Sequence, residues 1–468
     1  VNKNRLEDDY KIIIRELEAA VQLAAMALIY YLIWRYFYRK TYMPSYNGRG
    51  KWVLIGVYTV ILSAVFRLGE CFKFGYLTLS ELFISQVIAA FIANFLTYFQ
   101  LCLIANKMIT PMPMLCVYVC DIVMCTICSY SYTRIYHKIY VPHDMLLIYG
   151  SECALDLKFK MDVRHDRYTI TEIISADAGQ EQIQNAINRH DAVIINDING
   201  YFRNDILKYC YEHGVRTYLV PKISDIILEG SKDITLFDTP LKLIKGRGLT
   251  LPQRFFKRMT DIVLCLIALI ISGPIMLIVA LAIKAEDQGP VFYKQSRVTR
   301  DGKTFEILKF RSMVVDAERG GYDLSMRANG NDPRITKTGT FIRATRIDEL
   351  PQIFNILKGD MSIVGPRPER VENVEEYSKQ MPEWHMREKV KGGLTGYAQI
   401  YGKYNTSPMD KTKMDIMYIE NYSLFLDFKL ILLTVRVLFS KESTEGFDAV
   451  NERKQKREEL IKALEHHE

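Results

Sequence analysis

Four apolar runs crowd the first third of the chain: Ala19 to Phe37, Trp52 to Phe66, Phe83 to Ala105 and Met114 to Tyr130. Each approaches the roughly 20 residues that an α-helix needs to cross a bilayer, and this constrains the fold before any other feature. Trp34, Tyr36, Tyr38 and Trp52 suit interfacial aromatic belts. The charged segment Asn2 to Arg15 does not read as a signal peptide, since the apolar run behind it is long and no small-residue cleavage site follows. Four spans return both ends to one side. The positive-inside count is equivocal, because Arg39, Lys40, Arg49 and Lys51 burden the first loop.

A chain of 468 residues exceeds one ordinary domain, and its net charge of +7 suits anionic lipid surfaces or phosphate-rich ligands. The basic residues are dispersed, so no nucleic-acid partner is expected. Nine cysteines, an odd number placed mainly in apolar segments, point to reduced thiols. Cys116, Cys120, Cys125 and Cys128 cluster without paired loop spacing, which favours packing over a metal site.

From Asp144 the pattern alternates between strand and helix. Met145 to Tyr149, Ala192 to Asn196 and Arg216 to Val220 read as strands, and Glu181 to Asn188 and Ile206 to His213 as helices, giving a small parallel α/β unit. After its first strand comes Gly150-Ser151-Glu152-Cys153-Ala154, which lacks the glycines that let a backbone approach a pyrophosphate. A regulatory or scaffolding role is expected for this unit.

Ile262 to Ile283 is long enough to span, yet Ser272-Gly273-Pro274 interrupts its middle. Proline removes a backbone donor and clashes with the preceding turn, so a bend is expected there. Arg254, Lys257 and Arg258 precede the run and Lys284 follows it, as if both ends met one anionic surface; the alternative is a kinked full span. Gly289-Pro290-Val291-Phe292-Tyr293 leads into a strand, and Phe305 to Phe310 forms another. Met417 to Phe439 is apolar but carries Glu420, Asp427, Lys429 and Arg436, as in an amphipathic helix lying in the interface. From Asn451 the chain reads as a charged helical tail.

The densest chemistry lies between Arg343 and Arg370, where the adjacent carboxylates Asp348 and Glu349 are bracketed by Arg343, Arg346, Arg367 and Arg370. Leu350, Ile353, Phe354 and Leu357 recur at helical spacing, Pro351 fits only a first turn and Gly359 supplies a stop, so Asp348 is expected at or near a helix N-terminus. An anion is favoured there, and a carboxylate so placed can attack phosphorus. The plainer alternative makes Asp348 an N-cap with Arg343 as its salt-bridge partner.

Several motifs follow in order: Gly289-Pro290-Val291-Phe292, Leu308-Lys309-Phe310-Arg311-Ser312-Met313, Ile347-Asp348-Glu349-Leu350-Pro351-Gln352, Leu357-Lys358-Gly359-Asp360-Met361-Ser362, Val364-Gly365-Pro366-Arg367-Pro368 and Gly393-Leu394-Thr395-Gly396. Across about Arg254 to Phe439 the chain resembles the bacterial sugar transferase family, the monotopic polyprenyl-phosphate phosphoglycosyl transferases, and the preceding segments resemble that family's long form. The resemblance implies a multidomain membrane protein: an N-terminal α-helical transmembrane bundle over 1–140, a central degenerate Rossmann-like α/β domain over 141–250, and a C-terminal α/β catalytic domain over 251–450. That last domain would carry a re-entrant membrane helix and interfacial amphipathic helices, with 451–468 as the tail.

It further implies transfer of sugar 1-phosphate from a nucleotide diphosphate sugar to undecaprenyl phosphate, releasing the nucleoside monophosphate and initiating a surface glycan such as capsule, exopolysaccharide or O-antigen. On this resemblance Asp348 is the nucleophile, and Glu349 its acidic partner, with Mg2+ held by Glu349 and Asp348. Arg343 and Arg367 correspond to phosphate-binding arginines, with Lys309, Arg311 and Arg346 as helpers. Asp415 falls in a matching motif of open role. Membrane lipids are expected partners, a homodimer is compatible, and the catalytic domain would face the cytoplasm at a bacterial inner membrane. Gly273 separates Ser272 from the kinking Pro274, unlike the family pattern, and Ile347 replaces a leucine, a volume-conserving change. The competing assignments are a catalytically inactive scaffold of a polysaccharide assembly complex and a membrane-anchored nucleotide-sugar dehydratase.

Overall fold

The computed structural model describes residues 2–39, 48–139, 142–236, 238–246, 248–315, 334–402 and 406–439; the expected charged tail from Asn451 lies outside them. The chain divides into two compact units, with the sequence boundary between Val220 and Pro221.

In the first unit, α1 (Asn2–Ile33) runs on into a π-helical turn, Trp34–Tyr38, followed by α2 (Gly50–Leu68), α3 (Leu79–Ala105) and α4 (Met112–Ile139). Met26, Tyr30, Trp34, Tyr58, Leu62, Phe66 and Val117 are buried between these helices, and Ala89, Ala90 and Ala93 let α3 approach its neighbours closely. Thr78 and Glu81 close a capping box at the start of α3. Asp121, inside the bundle, accepts hydrogen bonds from Asn94 at 2.6 Å and Tyr58 at 3.2 Å, so the buried carboxylate is partnered.

Contacts at the helix ends order the bundle as an up-and-down array. Lys11 near the start of α1 lies 3.3 Å from His143, and Arg164 donates to the Gly75 carbonyl at 3.0 Å in the α2–α3 connection. At the opposite end, Tyr38 donates to the Thr110 carbonyl at 2.7 Å. Gly50–Leu68, Leu79–Ala105, Met112–Lys138 and the later Leu251–Asp287 are each long and apolar enough to cross a membrane.

The same unit continues with β1 (His143–Tyr149), α5 (Asp156–Asp162), β2 (Tyr168–Ser175), α6 (Gln180–Ile187), β3 (Ala192–Asn196), α7 (Gly200–Glu212) and β4 (Arg216–Leu219). The four strands are parallel in the order β2-β1-β3-β4, with Leu147 opposite Ile194. Met145 to Ile148 and Ala192 to Ile195 are buried without alternation, as expected of inner parallel strands covered on both faces. β2 is an edge strand carrying Thr169, Thr171 and Glu172 among its apolar residues, which hid it from the hydrophobic pattern.

The second unit opens with α8 (Ile223–Glu229) and a hairpin of β5 (Lys232–Leu236) and β6 (Thr239–Leu243). Then α9 (Leu251–Asp287) runs for 37 residues with Pro274 inside it. An antiparallel hairpin pairs β7 (Phe292–Val298) with β8 (Thr304–Phe310). After it come α10 (Lys337–Ala344), α11 (Gln352–Lys358), β9 (Ser362–Val364), α12 (Val371–Gln380) and β10 (Gly393–Thr395), with β10 parallel to β9.

Both halves of α9 pack on this one unit. Cys265 sits among Phe305, Ile307, Ile353 and Ile356, while Met276, Val279 and Ile283 surround Phe310 and Ile342. The opposite stripe, Ile270, Ile271, Leu277, Ile278 and Leu281, is exposed. Ser272 is buried and Gly273 has open space around it.

The single interfacial helix expected over Met417 to Phe439 is instead two, α13 (Pro408–Glu420) and α14 (Leu424–Phe439), the first structured well upstream. Ser423 accepts the Leu426 N–H at 3.1 Å and so starts the second helix. Asp427 and Arg436, counted as a polar face, are buried, and Phe425, Phe428, Leu438 and Phe439 are exposed.

Candidate active site

The dyad lies between two fixed helices. Arg346 takes a left-handed backbone conformation, φ 58°, which costs energy for a non-glycine residue and turns the chain out of α10 into the 3-10 turn Ile347–Glu349. Ile347 and Leu350 pack against the cluster that α9 forms with Phe310 and Ile342, so the apolar positions flanking the acids anchor the turn. α11 begins only at Gln352, after Pro351, and ends at Gly359 with φ 100°. Asp348 therefore stands in the turn ahead of the helix; the N-cap alternative does not hold, because Pro351 occupies that position.

Two sets of contacts hold α11. At its C-terminal end, Arg258 of α9 donates to the carbonyls of Ile356 at 2.5 Å and Leu357 at 2.6 Å, satisfying acceptors that the helix leaves open. From its buried face, Asn355 donates to the Glu306 carbonyl at 2.8 Å and accepts the Leu308 N–H at 2.9 Å. This pins β8 beside the dyad and presents Lys309 to it.

Arg367 arrives from the other side. Asp261 of α9 accepts the Ser362 hydroxyl at 2.8 Å and the Ile363 N–H at 3.1 Å, fixing β9. Lys257 pairs with Asp427 at 2.6 Å and donates to Tyr418 at 3.0 Å, all three buried. Beyond β9, Gly365 N–H donates to Thr395 and Gly393 N–H to Pro366, both at 2.8 Å, so the peptide ahead of Arg367 is tied to β10.

The two acids differ in environment. Glu349 Oε1 accepts from Lys309 at 2.9 Å and from Arg367 at 3.3 Å. Burial alone would raise its pKa, but Arg367 and Lys309 outweigh that and hold it at about 2. Asp348 has no hydrogen bond among the described residues, and burial, reinforced by the Glu349 charge, raises its pKa against the pull of Lys309, Arg346 and Arg343. Burial lowers the Lys309 pKa, opposed by Glu349. Arg343 and Arg346 are exposed, with no ion pair among the described residues, so Arg343 is not held as the Asp348 salt-bridge partner.

The structure thus gathers Lys309, Glu349 and Arg367 in direct contact, with Asp348, Arg343 and Arg346 alongside. Arg311 is directed elsewhere: it is buried and paired with Asp287 at the end of α9, because the β8 terminus turns it toward that carboxylate. Asp415 is buried and paired with Arg387 at 2.7 Å. Ser272 and Pro274 lie within α9.

No group of three or more His, Cys, Asp or Glu side chains suited to a metal occurs among the described residues, and the bundle cysteines form none. The dyad nevertheless fits magnesium, which is commonly held by one or two carboxylates with substrate phosphates and water completing its shell. Lys309 and Arg367 engage only one Glu349 oxygen, and Asp348 is unengaged.

A profile of the family described as Bacterial sugar transferase matches residues 252–441, from the first turn of α9 to just past α14. The UDP-glucose:undecaprenyl-phosphate glucose-1-phosphate transferase of Caulobacter vibrioides is 38% identical over 192 residues, 40% of this chain and 71% of that protein. The chain belongs to the bacterial sugar transferase family. A second family member, the enzyme of the same name from Klebsiella pneumoniae, is 37% identical over 260 residues, 54% of each chain. The UDP-N-acetylgalactosamine-undecaprenyl-phosphate N-acetylgalactosaminephosphotransferase of Aeromonas hydrophila is 36% identical over 262 residues, 54% of this chain and 60% of that protein. The matched region spans about half the length of the Klebsiella relative.

The supports of this candidate site carry no motif that the sequence alone reveals. Lys257, Arg258 and Asp261 sit in the first turns of α9, where the two basic residues resemble interfacial anchors and the acid belongs to no motif. Their i, i+1 and i+4 spacing was the available signal, since it places Lys257 and Asp261 on one helical face.

Proposed function

We propose that this chain transfers sugar 1-phosphate from a UDP-sugar to undecaprenyl phosphate in two displacements on Asp348, the initiating step of a surface polysaccharide. In the first, an Asp348 oxygen bonds to the sugar-bearing phosphorus and the diphosphate bridge breaks, releasing UMP. In the second, an oxygen of undecaprenyl phosphate attacks that phosphorus, the acyl phosphate bond breaks, and undecaprenyl-diphosphate-sugar leaves with Asp348 restored as a carboxylate.

The observation that carries this reading is the contrast within the dyad. A nucleophile must be ionised yet unengaged, and Asp348 alone of the pair has no hydrogen bond among the described residues. Glu349 sets Lys309 and Arg367 facing the site, and Arg343 and Arg346 supply exposed cations for the diphosphate. Charge on the transferring phosphoryl group has to be neutralised, because a carboxylate attacking a diphosphate is otherwise repelled. Bound magnesium, held through Glu349 and diphosphate oxygens, would supply further neutralisation.

Three aspects of placement belong to the same proposal. α9 is re-entrant: Lys257 and Arg258 near its start and Glu286 and Asp287 at its end all bond to the second unit, which supports both ends lying on one side of the membrane. That side is the cytoplasm of a bacterial cell, where nucleotide sugars reside. The four-stranded parallel sheet, with β1 between β2 and β3, supports a degenerate Rossmann-like assignment for the central α/β domain.

The named relatives act on UDP-glucose or UDP-N-acetylgalactosamine, so these donors form the first test panel. UMP release is measured with undecaprenyl phosphate and magnesium, with and without EDTA. Wild type should release UMP from at least one donor in a magnesium-dependent manner. Equal release by Asp348→Asn would refute the reading.

A further inference from the structure

Asp415 is almost wholly enclosed, 1% exposed, on α13, and its partner Arg387 is 5% exposed. The two approach to 2.7 Å, yet among the described residues neither Asp415 oxygen has a well-directed hydrogen bond, and Arg387 Nε has none. A buried ion pair so poorly supplemented by hydrogen bonds adds little stability over an apolar pair of the same volume. Its geometry, in contrast, leads to the site. Arg387 Nη2 donates to the Arg367 carbonyl at 3.0 Å, and Arg367 donates onward to Glu349 at 3.3 Å. Trp384, fully buried, lies 4.2 Å beneath the Arg387 guanidinium and restricts where it can point.

We propose that Asp415 and Arg387 are positioning residues: Asp415 orients Arg387, and Arg387 holds the Arg367 peptide so that the Arg367 guanidinium faces Glu349 and the donor diphosphate. This rests on the function proposed above. The Asp415 carboxylate never touches substrate, and no bond to it forms or breaks.

The groups around Asp415 are consistent with an orienting role. Arg387 and Lys411 attract its charge and Glu369 opposes it, while burial holds its pKa up at about 6. Arg387 is thus the cation in direct contact with an almost wholly enclosed carboxylate.

The test is a double-mutant cycle between Asp415 and Arg367 in the full chain. Asp415→Asn should lower kcat/KM for the UDP-sugar at least about tenfold, mainly through KM, with KM for undecaprenyl phosphate unchanged. In an Arg367→Ala background the same change should have less than about a twofold effect, because the peptide being held no longer carries the guanidinium. Full multiplicative loss in that background, or unchanged kcat/KM in Asp415→Asn, would overturn the proposal. If Asp415→Asn does not fold, Asp415→Leu with Arg387→Met removes both charges and should show the same donor defect; normal donor kinetics in that protein would equally overturn it. An inactive wild type that releases no UMP would instead count against the function itself, so the two failures are distinguishable.

Discussion

Lys309 Nζ lies 2.9 Å from Glu349 Oε1, on the same oxygen that Arg367 reaches at 3.3 Å. One carboxylate of the dyad is therefore committed to two cations while its neighbour Asp348 is bonded to neither. Adjacent acids with divergent environments divide into a permanently ionised member and a more basic one, which suits an electrostatic organiser beside a nucleophile.

The pH profile of the proposed transfer follows from this division. Asp348 has to be ionised to attack, and because burial and the Glu349 charge raise its pKa, the acidic limb of kcat/KM should lie above the ordinary aspartate value. Glu349→Gln removes a charge that raises the Asp348 pKa, so the limb should move to lower pH even as the maximum rate falls about ten- to a hundredfold. A limb that stayed in place would show that Asp348 is not the titrating group.

Acid stability gives a separate check on Glu349. Its folded pKa of about 2 lies below the ordinary 4.5, so its contribution is fully present above 4.5 and is lost as the pH falls from there through about 2. Thermal unfolding of Glu349→Gln should therefore fall less steeply over that window than wild type does. Parallel curves would contradict the Lys309 and Arg367 contacts.

Arg258 should matter to both stability and rate. Its two donations to Ile356 and Leu357 are charge-assisted, and Arg258→Ala should destabilise the second unit by about 2–4 kcal/mol. Arg258→Lys keeps the charge but cannot fork to both carbonyls, so its melting temperature should fall between the other two. A wild-type melting temperature in Arg258→Ala would remove α9 from the support of the dyad.

Membrane sidedness is open to labelling. Cysteines introduced as Arg254→Cys and Lys284→Cys, at opposite ends of α9, should both react with an impermeant maleimide only when the cytoplasmic face is exposed. Reaction of the two from opposite faces would establish a full crossing and contradict the re-entrant reading.

Much of this architecture was legible where one physical signal dominated. Apolar length marked α2, α3 and α4 of the bundle, Val193 to Ile195 marked a buried strand, and Pro351 with Gly359 bounded the helix that follows the dyad. Signals failed where a charge was counted as exposed. Asp427 and Arg436 looked like the wet face of one interfacial helix, but Lys257, from a segment far away in sequence, neutralises Asp427 in the interior. Arg311 sits in a motif with Lys309, yet only the folded chain shows that it serves Asp287. Likewise the resemblance separates Asp348 from Glu349 by role, but their difference in environment depends on Lys309 and Arg367 being brought to one side of the turn.

The most direct measurement is the mass of the Asp348 peptide during turnover. Enzyme mixed with its UDP-sugar and magnesium, without undecaprenyl phosphate, is quenched in acid and digested with trypsin, which cuts after Arg346 and Lys358 to release Ile347–Lys358. That peptide should carry the added mass of one sugar phosphate, located on Asp348 by fragmentation, and lose it when undecaprenyl phosphate is supplied. Lipid-linked product accumulating while the peptide stays unmodified throughout would contradict the account.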